Sequence, residues 1–299
     1  MSDDDTPIDY MRRTRAWYLA LGYDNPYRYA HHTDVPFSPL RIALAGARIA
    51  LLTTAAPYQP DKGPQGPGAP YNAAAKFYRP YAMDTALDHD LRVSHVAIDR
   101  KHTSMEDGNC WFPLPALRAA AAAGRIGQVA RRAHGIPTNR SQRHTVEADI
   151  PVVLERCRED GADAALLVAN CPVCHQTLAL TARALEAAGI PTVLLGCAKD
   201  IVEHVGVPRF LFSDFPLGNA AGKPNDSASQ AQTLELALRL LEAAPAARTT
   251  LQSPQRWSTT ADWKLDYCNI ERVAPAEIAR LRAEAEAARI AARAIRHGA

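Results

Sequence analysis

Two cysteines and a histidine stand together in the segment Cys171-Pro-Val-Cys174-His175. An apolar run of strand length precedes them, and a helical pattern follows them. Because the amide groups at a helix N-terminus stabilise anions, we expect a lowered pKa and a nucleophilic thiolate at Cys171. We therefore predict thiol chemistry, in which Cys171 attacks, Cys174 resolves the resulting adduct and His175 assists proton transfer.

The same segment is typical of other sites as well. Cys-x-x-Cys-His is the attachment motif of c-type haem, but that attachment usually occurs outside the cytoplasm, so we disfavour it. Zinc or iron at Cys171 and Cys174 is the stronger alternative, with His175 and Cys197 as further ligands of suitable chemistry. A second close cysteine pair is missing, and the adjacent residues Cys174 and His175 are awkward co-ligands. We expect no cofactor in this chain and keep a metal as the alternative.

Composition narrows the class of protein. The 299 residues include only six cysteines, too few for a disulfide scaffold. The 34 basic and 32 acidic residues leave a net charge of +2, which argues against nucleic acid or a membrane surface as a partner. The first residues are acidic and polar, unlike a secretory signal, and no apolar run approaches the ~20 residues of a membrane span. We expect a cytoplasmic protein.

Polar and thiol side chains cluster near the ends of predicted strands. Buried strands are predicted over residues 48–54, 92–99, 164–169, 192–196 and 209–213. In open α/β sheets ligands bind at the carboxyl ends of strands. We therefore predict that seven residues hold the polar groups of a small-molecule substrate: Thr53, Thr54, His95, Asp99, Asn170, Cys197 and Asp214.

Helical patterns separate these strands. They cover residues 114–133 (broken near Gly124 and Gly127), 148–160 (with Gly161 as the stop), 197–205, 227–243 and 275–296, and one begins at Thr177. The alternation predicts an α/β fold with parallel sheets and right-handed crossovers. We predict two Rossmann-like lobes, with the active site in the cleft at the C-terminal ends of the strands.

Four segments make up the predicted domain organisation. They are an N-terminal aromatic arm with a short helix (1–40), a first lobe (41–147), a second lobe with the Cys-x-x-Cys motif (148–245) and a C-terminal extension with a helix (246–299). The loop over 57–70 is rich in Pro and Gly, and we predict a mobile segment that could act as a lid. The arm and the charged last helix could face a neighbouring subunit, so we expect a homo-oligomer.

Further motifs accompany the cysteine pair. Cys171-Pro-Val-Cys174-His-Gln-Thr is followed by Ala-Leu-Glu-Ala-Ala-Gly-Ile-Pro-Thr-Val, then by Ser213-Asp-Phe-Pro-Leu-Gly-Asn and Gly222-Lys-Pro. Together these residues resemble component B of the glycine, sarcosine and betaine reductases and its D-proline reductase relative. In that family a selenocysteine-x-x-Cys pair stands the same distance before the Ala-Gly-Ile-Pro turn. The resemblance therefore aligns Cys171 with the selenocysteine and Cys174 with its partner.

The resemblance implies a reductive cleavage of a C–N bond. In the family a selenolate attacks a carbon of a substrate that is activated by a pyruvoyl group on a separate subunit, and a thiol completes the reduction. By analogy we expect Cys171 to attack a small nitrogen- or sulfur-containing metabolite. A thiol reductant or a partner redox protein would supply the electrons, which makes the chain a thiol-dependent oxidoreductase.

Other functions use the same sulfur atoms. A lyase, hydrolase or desulfurase would pass through a Cys171 adduct without net reduction, and would need no external reductant. A cofactor-independent racemase is disfavoured, because no cysteine follows Thr54 at the end of the first predicted strand. The non-enzyme alternative is a metal-binding or redox-sensing protein.

Overall fold

The computed structural model describes residues 6–23, 25, 27–66, 69, 72–93, 95 and 97–297. The described residues fall into two compact units. The smaller unit combines the chain up to Arg28 with the chain from Thr260 onwards, and the larger unit is Tyr29–Thr259. Our predicted segments 41–147 and 148–245 both lie within the larger unit.

The regular elements are named here in chain order. The helices are α1 (Tyr10–Ala20), α2 (Leu114–Ala122), α3 (Gln142–His144), α4 (Ile150–Glu159), α5 (Pro172–Ala187), α6 (Lys199–Val205), α7 (Ser227–Ala243), α8 (Trp263–Asp266) and α9 (Pro275–His297). The strands are β1 (Arg48–Thr53), β2 (Ala56–Pro57), β3 (Tyr81–Asp84), β4 (Leu91–Arg92), β5 (Gln128–Val129), β6 (Arg132–Gly135), β7 (Ala164–Val168), β8 (Thr192–Gly196), β9 (Arg209–Phe212) and β10 (Thr249–Gln252).

One sheet dominates the larger unit. Its strand order is β10-β9-β8-β7-β1-β6-β3, with β5 paired to β1 beside this path. The pairing is parallel except between β3 and β6. The predicted α/β fold with a parallel sheet is therefore confirmed. The strands that we assigned to two lobes share this one sheet, because β1 pairs with both β6 and β7, so the two lobes do not have separate sheets.

The sheet and its helices form the buried core around the cysteine motif. The side chains of β7 and β8 are buried along their whole length, as expected for parallel strands covered on both faces. Helix α5 packs against both strands and against α4 and α6, while α7 packs against β8 and β9. Small and apolar residues let α5 be buried on most sides, which holds its N-terminus firmly at the end of β7.

The predicted strand over residues 92–99 is wrong. Among the described residues of this stretch, strand pairing is limited to Leu91 and Arg92, which pair antiparallel with the two residues of β2. The ladder cannot extend past them because the neighbouring Ala55 is already bonded: its N–H donates to the Thr53 hydroxyl, and its carbonyl accepts from the Tyr81 hydroxyl. Residues 94 and 96 of the predicted strand lie outside the described part of the chain.

The second half of the predicted helix over 114–133 is also wrong. The helix ends at Ala122, and residues 128–129 and 132–135 are strands β5 and β6. A side chain at Gly127 would place its Cβ 2.5 Å from the backbone of Gly46. Glycine there lets the chain pass close to the segment before β1, so that β5 can pair with β1.

The remaining predicted elements agree well with the structure. Helices α7 and α9, the strands β1, β7, β8 and β9, and a short helix near the N-terminus are confirmed. The helix predicted over 148–160 begins earlier, because α3 runs through a wider turn at Thr145–Asp149 into α4. Gly161 follows with φ of +63°, as a helix C-terminal stop requires.

Part of the Pro/Gly segment over 57–70 forms an ordered turn. The Gln59 N–H donates to the Gln65 side chain at 3.0 Å, around a short helical turn at Pro60–Lys62. Residues 67, 68 and 70 lie outside the described part, and the lid stays a prediction. Within the described residues, no helix has the length and apolar character needed to cross a membrane.

Candidate active site

The cysteine pair lies at the N-terminus of α5, where the chain leaves β7. Cys171 is the N-cap residue, and its Sγ accepts a hydrogen bond from the backbone N–H of Cys174 at 3.3 Å. Pro172 occupies the first turn of the helix, where a backbone N–H has no partner within the helix, so the missing N–H of proline costs no helical hydrogen bond. The two sulfur atoms are 2.8 Å apart and belong to free cysteines, so the site holds a hydrogen-bonded dithiol.

Both cysteines of the pair are buried. Cys171 retains 5% of its residue surface, whereas Cys174 retains none. The predicted order, in which Cys171 attacks and Cys174 resolves the adduct, stays a prediction.

His95 and Thr138 complete the surroundings of the dithiol. The Thr138 hydroxyl lies 3.3 Å from the Cys174 Sγ and 3.3 Å from the His95 Nε2, so it bridges the two side chains. One ring nitrogen of His95 and the sulfurs of Cys171 and Cys174 all lie within 4.8 Å of one another. The structure thus brings together three of the predicted site residues, although His95 comes from an irregular segment rather than from a strand.

The two thiols titrate as a coupled pair. Burial acts against ionisation of Cys174, but hydrogen bonds with Cys171, His95 and Thr138, together with the charge of His95, lower its pKa well below the usual value. Burial, together with the hydrogen bond to Cys174, raises the pKa of Cys171. The lowered thiol pKa that we predicted for Cys171 thus falls on the hydrogen-bonded pair, with Cys174 the more acidic of the two thiols.

His175 is fully buried, and the backbone occupies both of its ring nitrogens. Nδ1 donates to the Cys171 carbonyl at 2.8 Å, while Nε2 accepts from the N–H groups of Cys197 at 2.9 Å and Ala198 at 3.1 Å. A nitrogen that accepts two N–H groups carries no proton, and burial lowers the pKa of His175 to about 4. Gly196 gives the ring its space, because a Cβ there would lie 2.6 Å from the ring. The proton transfer predicted for His175 stays untested; in this arrangement the ring positions Cys171.

Asn170 and the two threonines link the ends of β7 and β1. The Asn170 Nδ2 donates to the Thr54 hydroxyl at 2.9 Å, and both residues are buried. The Thr53 hydroxyl donates to the Trp111 carbonyl at 2.8 Å, so this side chain is occupied by the scaffold. The Oδ1 of Asn170 is buried and has no protein partner, which leaves one acceptor beside Cys171.

The other predicted substrate-binding residues have contacts of their own. The Asp99 carboxylate accepts from the His102 Nδ1 at 3.0 Å and from the backbone N–H groups that follow it. Cys197 is buried, and this burial raises its pKa, with the nearby Asp214 acting in the same direction. The cluster around the dithiol sulfurs does not include Asp99, Cys197 or Asp214. Their substrate-binding roles stay predictions.

Thr138 is the site residue that the sequence analysis missed. It follows β6, the parallel neighbour of β1, and so lies at the carboxyl-end edge of the sheet. The helix predicted over residues 114–133 includes residues 128–133, and this assignment hid the strand that precedes Thr138. A strand over 132–135 would have marked Thr138 as a candidate by the rule applied to Thr54.

The chain is similar to a known protein, D-proline reductase subunit gamma of Acetoanaerobium sticklandii. The two are 29% identical over 224 residues, which cover 74% of this chain and 89% of the relative. The predicted resemblance is thereby confirmed, and the similarity supports membership of the D-proline and glycine reductase component family. No protein-family model and no solved structure matches the chain.

Proposed function

Starting from this relationship to a D-proline reductase subunit, we propose that the chain is a thiol-dependent reductase component that uses Cys171 as its nucleophile. The observation that carries the proposal is the dithiol at the N-terminus of α5, with its sulfurs 2.8 Å apart and Cys171 the more exposed. The relative supports a reductase-like function at the level of the family. The substrate we propose is a small metabolite with a carbon–nitrogen or carbon–sulfur bond to be cleaved.

The first step is an attack by Cys171 on the substrate carbon. As its sulfur attacks, Cys171 gives its proton to the Cys174 thiolate, to which it is hydrogen-bonded. The carbon–heteroatom bond breaks with its electron pair on the leaving group, which takes up a proton. The product of this step is a thioether between Cys171 and the substrate carbon, with no net change of oxidation state in the protein.

The second step is the reduction. Cys174 loses its proton through the Thr138 hydroxyl towards His95 and attacks the Cys171 sulfur. The carbon–sulfur bond breaks with its electron pair on carbon, which is protonated, and a Cys171–Cys174 disulfide forms. Two electrons thus pass from the dithiol to the substrate. An external thiol or a redox protein restores the dithiol by disulfide exchange.

Additional components belong to the proposal. The relative is named as a subunit, so we propose that this chain also works with other subunits, one of which activates the substrate. We also propose a cytoplasmic location, because a reducing compartment keeps a dithiol in its reduced form. Within this scheme Asn170, with its buried free acceptor, is the first candidate to hold a substrate N–H group once the site opens.

The test is stoichiometric alkylation of the reduced full chain, which needs no partner subunit. Cys268 is half exposed, so the test is made in Cys268→Ser, where this more accessible thiol is absent. With limiting iodoacetamide, intact-mass and peptide analysis should place the first label on Cys171. Adding Cys171→Ser to that variant should abolish the fast phase. In the assembled enzyme, Cys174→Ser should accumulate a substrate adduct on Cys171. Full turnover by Cys171→Ser would overturn the proposal.

A further inference from the structure

The dithiol and His95 also form a set of metal ligands. Two sulfurs and one imidazole nitrogen lie within 4.8 Å of one another, and no other such group of three His, Cys, Asp or Glu residues occurs among the described residues. This donor set differs from the one predicted from sequence. His175 has both nitrogens bonded to the backbone, and Cys197 lies outside the cluster, so His95 takes the place of both as the third ligand.

Thr138 lies beside both His95 and Cys174. Its hydroxyl is 3.3 Å from the His95 Nε2 and 3.3 Å from the Cys174 sulfur. The other nitrogen, Nδ1, is buried without a protein partner, so the backbone holds neither ring nitrogen. Metal-binding histidines are commonly oriented by such a hydrogen bond through the second ring nitrogen.

The burial of the site favours a divalent cation over a free dithiolate. Two thiolates side by side in a buried site repel each other, and these sulfurs are only 2.8 Å apart. A Zn²⁺ ion bound to both sulfurs leaves no net charge, and the Cys174 N–H already donates a hydrogen bond to the Cys171 sulfur. Metal binding releases the protons that the thiols still carry.

Only small movements are needed to reach zinc geometry. Zn–S bonds of ~2.3 Å and a Zn–N bond of ~2.0 Å in a tetrahedron separate the sulfurs by about 3.8 Å, and each sulfur from the nitrogen by about 3.5 Å. The sulfurs, now 2.8 Å apart, must separate by about 1 Å, which a rotation of the Cys171 side chain at the helix N-cap can supply. Three protein ligands leave the fourth position for water or another small molecule.

We propose that His95, Cys171 and Cys174 form a zinc site with one open position, and that zinc binding there withdraws the dithiol from reaction. While both sulfurs are bound to the metal, Cys171 is protected from electrophiles and Cys174 cannot form a disulfide. Removal of the metal restores the reduced dithiol without any change of oxidation state. The site would stand even if the reductase proposal failed, because it depends only on the three ligands.

The experiment is a titration of the reduced, metal-free full chain with Zn²⁺ in competition with a chromophoric chelator. We expect one tight site per chain, and Co²⁺ in its place should give the charge-transfer absorption of a cobalt–thiolate bond. Cys171→Ser and Cys174→Ser should each weaken binding by more than about 100-fold, and His95→Gln by at least about tenfold. Thr138→Val should weaken binding less than His95→Gln does. In wild type, Zn²⁺ should block labelling of Cys171, and EDTA should restore it.

Matched variants separate this site from other ligands. His31 and His204 stack with ring centroids 4.7 Å apart and could bind a metal at the surface, so His31→Gln is the control for that pair. His31→Gln and Cys268→Ser should bind Zn²⁺ like wild type, and circular dichroism should show that each ligand variant is folded. Absence of a stoichiometric site in wild type, or unchanged affinity in folded His95→Gln, would overturn the zinc site. Neither result would affect the alkylation test of Cys171.

Discussion

Replacing His175 should change both the stability of the protein and its dependence on pH. In His175→Gln the amide oxygen can still accept from the N–H groups of Cys197 and Ala198, but the Cys171 carbonyl loses the ring donor and keeps only the backbone N–H of residue 175. A lost hydrogen bond costs about 0.5–1.5 kcal/mol, so we expect a loss of about 1 kcal/mol in the free energy of unfolding at pH 7. His175→Ala leaves all three backbone groups without the ring, and we expect a loss of about 3–5 kcal/mol.

The pH dependence follows from the lowered pKa of the buried ring. Its pKa is about 4 in the folded protein and 6.5 in the unfolded chain, because burial disfavours the charged form. Between these values the unfolded state binds more protons, so wild type loses stability as the pH falls from 6.5 towards 4. The full shift corresponds to about 3 kcal/mol at 1.36 kcal/mol for each pKa unit. From pH 7 to pH 4.5 the difference in unfolding free energy between wild type and His175→Gln should therefore change by about 2–3 kcal/mol in favour of the variant, so that the variant is the more stable protein at pH 4.5.

Urea unfolding at several pH values measures this gap directly. Burial also lowers the pKa of His134 to about 4, so His175→Gln should keep the part of the pH dependence that His134 contributes. His144→Gln is the matched control, because it removes a histidine whose side chain is half exposed rather than buried. A gap between wild type and His175→Gln that stays constant from pH 7 to pH 4.5 would refute the assignment of a buried neutral ring.

Two further substitutions test the scaffold around the site. Gly196→Ala places a Cβ 2.6 Å from the His175 ring, and we expect a loss of about 1–3 kcal/mol in the free energy of unfolding, measured in urea. The loss should be smaller when His175→Ala is also present, because the ring is then absent. Equal losses with and without His175→Ala would contradict the contact. Arg209→Met leaves the buried Glu186 carboxylate without the guanidinium that donates to it at 2.7 Å, and we expect a loss of about 3–5 kcal/mol. Adding Glu186→Gln should recover part of that loss, because it removes the unpaired buried charge. A double variant that is no more stable than Arg209→Met would contradict a buried ion pair.

The second half of the sheet was predictable because each element carries a strong local pattern. The apolar runs of β7, β8 and β9 are buried on both faces, and each is followed by a helix of clear periodicity or by turn residues. The position of Cys171 at a helix N-cap followed from this pattern alone. Such strands can be predicted from a short stretch of sequence, because a strand that is buried on both faces requires a continuous apolar run.

The first half was less predictable because its pairing depends on distant contacts. Residues 92–99 have an alternating pattern, but the Arg100 guanidinium, rather than a neighbouring strand, bonds the His95 carbonyl at 2.8 Å. The two-residue strand β5 exists because Gly127 passes Gly46. Neither interaction can be read from a local window, and Thr138 was missed for the same reason.

The chemistry of the two histidines near the site was equally inaccessible to sequence. His175 is adjacent to Cys174 in the chain, yet its ring points to the backbone after β8. His95 is far away in the chain, yet it approaches both sulfurs. Because His175 is adjacent to Cys174 in sequence, we assigned the proton transfer at the dithiol to His175, whereas the structure places His95 beside the sulfurs.

The central place of β1 in the sheet bears on the order in which the molecule folds. Strands β7 to β10 pair with their neighbours in sequence, whereas β1 joins β7 only by closing a long loop: Thr54 and Asn170, which bond at its end, are 116 residues apart. Loop closure costs more conformational entropy for longer loops, and distant pairings slow folding. We expect β7–β10 and α5 to form first, so the nascent dithiol would stay open to oxidants until β1 and the segments carrying His95 and Thr138 arrive to enclose it.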